Sequence, residues 1–136
     1  MNAATHLRNL KGVFTMLQGL NFVLLHVTDS EKATAFYTEK LGLAIEIQQG
    51  SFVQFKQPMG QGASFAISQE GDGAPIQNVE LWWYVDDADA TYADLVAKDV
   101  PIAQSLKDEP FGRTFAIKDP SGNTLYIMRL ADHLRG

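Results

Sequence analysis

Two stretches carry the densest apolar patterning in the chain, and both end in the same way. Phe22-Val-Leu-Leu-His-Val27 runs into Thr28-Asp29-Ser30, and Leu81-Trp-Trp-Tyr-Val85 runs into Asp86-Asp87. Short apolar runs bounded by such residues read as strands. Behind each acidic stop the apolar period lengthens to that of a helix. Ala33, Phe36, Tyr37 and Leu41 recur at helical spacing behind a cap at Asp29 or Ser30, and Gly42 ends the helix. In the second stretch Asp86 and Asp87 supply the cap, and Ala88, Tyr92, Leu95 and Val96 form the buried stripe. Pro101 then prevents continuation.

Three strand-like runs follow each helix: 44–48, 51–56 and 63–68, then 102–105, 114–118 and 124–129. Pro58-Met-Gly-Gln-Gly62 and Asp119-Pro-Ser-Gly-Asn123 have the chemistry of hairpin loops, and Gly71-Asp-Gly-Ala-Pro75 that of a connection. Sliding the sequence by 58 positions superposes the two series, matching Val27 with Val85, Asp29 with Asp87, Ala35 with Ala93 and Lys40 with Lys98. The chain is therefore expected to be an α+β protein of two tandem β-α-β-β-β units, residues 20–70 and 76–130, in one domain. An N-terminal arm, 1–19, precedes it, helical from the spacing of Leu7, Leu10, Phe14 and Leu17, and a tail, 131–136, follows.

One helix covers only one face of a four-stranded sheet, so the two halves together are expected to form a curved mixed sheet around a cup. Alternation along the first strand puts Val23, Leu25 and Val27 beneath the helix and Phe22, Leu24 and His26 on the cup side. In the matching strand Leu81, Trp83 and Val85 go beneath the helix. Glu80, Trp82 and Tyr84 then face the cup, where function is expected.

Composition narrows the chemistry. The 136 residues are 46% hydrophobic and 20% charged, as in an ordinary globule, and include no cysteine. A disulfide frame, a thiolate metal site and a cysteine nucleophile are thereby excluded. The formal net charge of −5 offers no basic surface for nucleic acid or anionic lipid and would attract a cationic small molecule. The apolar stretch 12–25 is interrupted by Gln18 and Asn21, is too short to span a bilayer and lacks a cleavage site. A cytoplasmic protein is expected.

Val-Thr-Asp-Ser-Glu-Lys-Ala-Thr-Ala-Phe-Tyr37 with Leu-Gly-Leu43, Val-Asp-Asp-Ala-Asp-Ala90, Phe111-Gly-Arg113 and Asp-Pro-Ser-Gly-Asn123 together resemble the vicinal oxygen chelate superfamily. That group holds glyoxalase I, extradiol dioxygenases, fosfomycin-resistance enzymes and bleomycin-resistance proteins. The resemblance implies a divalent metal held by histidine and glutamate in members that do chemistry. At the corresponding positions this chain has Phe22, Glu80 and Tyr126, so no metal and no other cofactor is expected. His26 lies about 13 Å from Phe22 along an extended strand and cannot replace it.

Aromatic rings and one carboxylate suit a planar or cationic organic ligand. The resemblance is nearest to the metal-free, bleomycin-resistance-like branch, implying a homodimer that sequesters an aromatic or cationic antibiotic. The expected ligand-binding residues are Phe22, His26, Glu80, Trp82, Tyr84, Arg113 and Tyr126, with any catalytic residue unassigned. Each has a plainer alternative. Glu80 could pair with Arg113, Arg113 with Asp108, His26 could be structural, Trp82 and Tyr84 could pack a dimer interface, and Phe22 and Tyr126 could be hydrophobic filler. Trp83 reads as core, and Asp29, Asp87 and Asp119 as caps and turn formers. Whether the chain is an enzyme stays open: the alternatives are a metal-dependent lyase, isomerase or dioxygenase, a metal-free enzyme with Glu80 or His26 as base, and a protein-interaction domain.

Overall fold

The computed structural model describes residues 16–17, 19–58, 62–69, 75 and 78–135. The helix expected in the arm, the middle of the 58–62 loop and most of the 71–75 connection lie outside the described residues. The first unit runs β1 (Phe22–His26), α1 (Ser30–Ala35) continuing as a π-helical turn (Phe36–Lys40), β2 (Ile45–Gln49), β3 (Phe52–Phe55) and β4 (Ser64–Ser68). The second runs β5 (Leu81–Tyr84), α2 (Ala88–Ala97), β6 (Ile102–Glu109), β7 (Gly112–Lys118) and β8 (Thr124–Leu130), followed by a 3₁₀ turn at Asp132–Leu134. Each unit makes one four-stranded sheet, in the orders β1-β4-β3-β2 and β5-β8-β7-β6. In both the first strand lies parallel to the last, and the remaining pairs are antiparallel.

The repeat extends to local geometry. Asp29 (φ −144°, ψ 107°) accepts a hydrogen bond from the Lys32 amide, and Asp87 (φ −143°, ψ 102°) accepts one from the Ala90 amide. These side chains satisfy donors that a helix N-terminus otherwise leaves free. Lys40 Nζ donates to the Lys98 carbonyl at 2.8 Å and Lys98 Nζ to the Lys40 carbonyl at 3.4 Å, a reciprocal contact of the kind an internal twofold creates.

Helices and sheets enclose one core. Leu25, Val27, Tyr37, Phe55 and Ile67 of the first unit share it with Leu95, Phe115, Ile117 and Leu125 of the second. Trp83 is half-buried against this core, its ring edge-on to Phe65. Buried Asp119 organises its own hairpin by accepting from the Ser121 and Asn123 amides, and its other oxygen accepts from Tyr37 at 2.9 Å across the boundary between units. Burial, then the charge of Asp119 and the hydrogen bond to it, push the Tyr37 phenol well above its usual range.

Two elements depart from expectation. Val96 is exposed, and Val100 is buried instead, its amide bonding back to the Leu95 carbonyl. β6 continues past residue 105 to Glu109 through irregular pairing with β7. Its second half carries Lys107, Asp108 and Glu109, which read as loop in the sequence but are what an edge strand uses to discourage further pairing. Among the described residues no helix is long and apolar enough to cross a membrane.

Because both sheets turn their helix-bearing faces to the shared core, their other faces look outward. The residues expected on the cup side lie on those faces. Phe22 (39%), Leu24 (40%), Trp82 (38%) and Tyr84 (72%) remain exposed.

Candidate functional site

The outer face of the second unit holds an aromatic cluster. Trp82 of β5 lies in register with Tyr126 of β8, and their rings stack at 4.7 Å and 17°. The indole Nε1 donates to Glu80 Oε1 at 3.0 Å, which fixes the ring from a second side. Phe111 meets Trp82 edge-to-face at 5.7 Å and 76°. It reaches this position from the β6–β7 turn because Gly112 passes against β8: a Cβ there would lie 2.2 Å from the Arg129 carbonyl oxygen. The Phe111 carbonyl is held by the Ala131 amide. Beside the cluster an open groove of about 590 Å³ is lined by Asn78, Val79, Glu80, Thr124 and Tyr126.

The structure thus brings Glu80, Trp82 and Tyr126 together. Tyr84 stands on the same face in the next row, paired with Met128. Phe22 and His26 lie on the outer face of the other sheet, opposite Ser64 and Ser68, where Phe22 stacks on Phe52 at 6.3 Å. Arg113 belongs to neither group. It alternates with Phe115 and Ile117 toward the helix side, donating to Asp89 and Asp108 at 3.2 Å each. Those hydrogen bonds and charges, with Asp89 first, raise its pKa further. Of its alternatives, the Asp108 pairing is the one observed.

A divalent metal of the kind the resemblance implies finds no donor set on this face. Glu80 is engaged with Trp82, and the matching positions are Phe22 and Tyr126. Among the described residues no three of His, Cys, Asp and Glu come together as ligands.

Phe111, which meets Trp82, is not among the residues to which the sequence points. Nothing in the sequence shows that the β6–β7 turn brings Phe111 to Trp82.

A family model described as Glyoxalase/Bleomycin resistance protein/Dioxygenase superfamily matches residues 19–127. No curated protein matches. Among solved structures the chain is similar to TnmS3, an antibiotic binding protein from Streptomyces sp. CB03234. That likeness has 26% identity and TM-score 0.73 and covers 86% of this chain and 99% of the other. A glyoxalase/bleomycin resistance protein from the same organism shares 28% identity with TM-score 0.68, over 82% of this chain and 100% of that one. Lactoylglutathione lyase from Agrobacterium tumefaciens, at 21% identity and TM-score 0.65 over 85% and 96%, shows the fold alone. With the family model spanning most of its length, and its two β-α-β-β-β units built as that family builds them, the chain belongs to the glyoxalase/bleomycin resistance protein/dioxygenase superfamily.

Proposed function

We propose that the protein binds a planar aromatic or cationic small molecule, of the antibiotic class, against the outer face of its second unit, and holds it without a resident metal. The observation that carries this reading is the Trp82–Tyr126 stack, pinned by Glu80 and flanked by Phe111, on a sheet face where, among the described residues, Trp82 and Tyr84 stay exposed. Stacked rings present a large, rigid apolar surface, and the neighbouring carboxylate favours positive charge. The antibiotic-binding neighbour of the same architecture supports the ligand class.

A homodimer completes the site in this reading. The outer faces expose Phe22 and Leu24 on one sheet and Trp82 and Tyr84 on the other, and among the described residues β1 and β5 are each hydrogen-bonded to a neighbouring strand on one side only. Exposed edges and faces of this kind are closed in assemblies. A second copy would set Phe22, Phe52 and His26 of one chain opposite Glu80, Trp82 and Tyr126 of the other.

The test is titration of wild type and Trp82→Ala with a panel of neutral and cationic planar aromatic compounds, followed by fluorescence and calorimetry. Binding to wild type that weakens at least tenfold in the variant, with unfolding unchanged, supports the reading. Equal affinity in both would sink it, and metal retained at one equivalent per chain would contradict its metal-free part.

A further inference from the structure

Thr114 lies on the outer face of β7, opposite Met128 of β8, which pairs in turn with Tyr84 of β5. It is 1% exposed, and its Oγ1 has no hydrogen-bond partner among the described residues. An unpaired buried hydroxyl destabilises a fold, and valine, of the same shape, would remove the penalty. Groups retained against stability in this way are concentrated where function needs them.

Its surroundings point to a ligand. Trp82, Tyr126 and Ala116 form one row across the sheet, and Tyr84, Met128 and Thr114 form the next. Same-face residues on a strand are about 7 Å apart. Phe111 enters from beyond Gly112, on the far side of the Thr114 row, yet its ring reaches Trp82. The Phe111–Trp82 contact therefore bridges the row that contains Thr114.

We propose that Thr114 is the polar anchor of the ligand site, beneath an aromatic cover formed by Phe111 and Trp82. The ligand is a planar ring system bearing a hydrogen-bond acceptor such as a ring carbonyl. It takes the place of the Phe111 edge on Trp82 and accepts from Thr114 Oγ1. The proposal rests on reading the second unit's outer face as the binding surface.

The experiment uses 9-fluorenone and fluorene, which share one planar tricyclic frame with and without a carbonyl. Both are titrated into wild type, Thr114→Val and Thr114→Ser, and unfolding of each protein is followed without ligand. The valine variant should bind fluorenone about three- to tenfold more weakly, the worth of one hydrogen bond, while fluorene binding is unchanged. The serine variant should keep wild-type preference. The unliganded valine variant should melt roughly 2–4 °C higher. Fluorenone binding undiminished in Thr114→Val, or weakened equally with fluorene, would overturn the anchor. So would a lower melting temperature, which would show the hydroxyl already satisfied in the folded protein. Failure of both compounds to bind wild type would remove the ligand-site reading and this inference with it.

Discussion

The two units are built alike on their inner faces and differ on their outer ones. Beneath their helices β1 sets Val23 and Leu25 where β5 sets Leu81 and Trp83, all packed in or against the shared core, and Asp29 and Asp87 cap those helices with nearly identical backbone angles. On the outside, β1 presents Phe22, Leu24 and His26, whereas β5 presents Trp82 and Tyr84 beside Tyr126 and Phe111. Packing constrains a buried position through every neighbour it touches. An outward position is constrained only by what binds there, so the divergence of the outer faces marks where the units have separate roles.

The largest effect is expected in the core that joins the units. Phe115→Ala should cost about 3–5 kcal/mol. Because the core is common, hydrogen exchange should accelerate in β1 and β4 as well as in the second unit. Protection retained by the first unit would show two independent cores.

Next in size is the outer face. Trp82→Ala should lower affinity for a bound planar compound by about 1.4–2.7 kcal/mol, as central aromatic anchors do. Leu24→Ala, the matching substitution on the first unit, should lower it by less in the same titration, because an aliphatic side chain between Phe22 and His26 offers no ring for stacking.

The Tyr37–Asp119 contact, which ties the units together, gives a pH signature. The Tyr37 phenol holds its proton above the usual tyrosine range when folded. Raising pH through about 10 ionises it in the unfolded chain first, so the folded state binds more protons there and stability falls. Denaturant unfolding from pH 8 to 11 should show this loss in wild type and a shallower one in Tyr37→Phe, which itself costs about 1 kcal/mol at neutral pH. The smallest effects concern the caps. Asp29→Ala and Asp87→Ala should each cost about 1 kcal/mol, and unequal losses by calorimetry would show that the repeat is geometric but not energetic.

Much of the fold is legible in the sequence because its signals are local. The acidic caps, Gly42, Pro101 and the Asp119–Asn123 hairpin place both helices and most strands, and the 58-residue repeat supplies the order. Strand parity also places Phe22, His26, Trp82, Tyr84 and Tyr126 on the outward faces. What stays hidden depends on contacts between distant segments. Lys107–Glu109 look like loop until β7 pairs with them, and Arg113 turns to Asp89 because β7 begins at Gly112, two residues earlier than its apolar run suggests. Periodicity also cannot state which faces of the two sheets meet. That is decided by Tyr37, Phe65 and Phe115 packing into one core.

In the proposed site the first unit of one chain completes the second unit of another. Subunit complementation distinguishes this arrangement from a site within one chain. Trp82→Ala and Phe22→Ala chains, each binding-deficient alone, are unfolded together, refolded as a mixture and titrated with a planar compound that wild type binds. Random pairing gives half mixed dimers, each with one intact site, so about a quarter of the wild-type sites should return at wild-type affinity. No recovery in a mixture shown by mass spectrometry to contain mixed dimers would contradict the claim and place the whole site within a single chain.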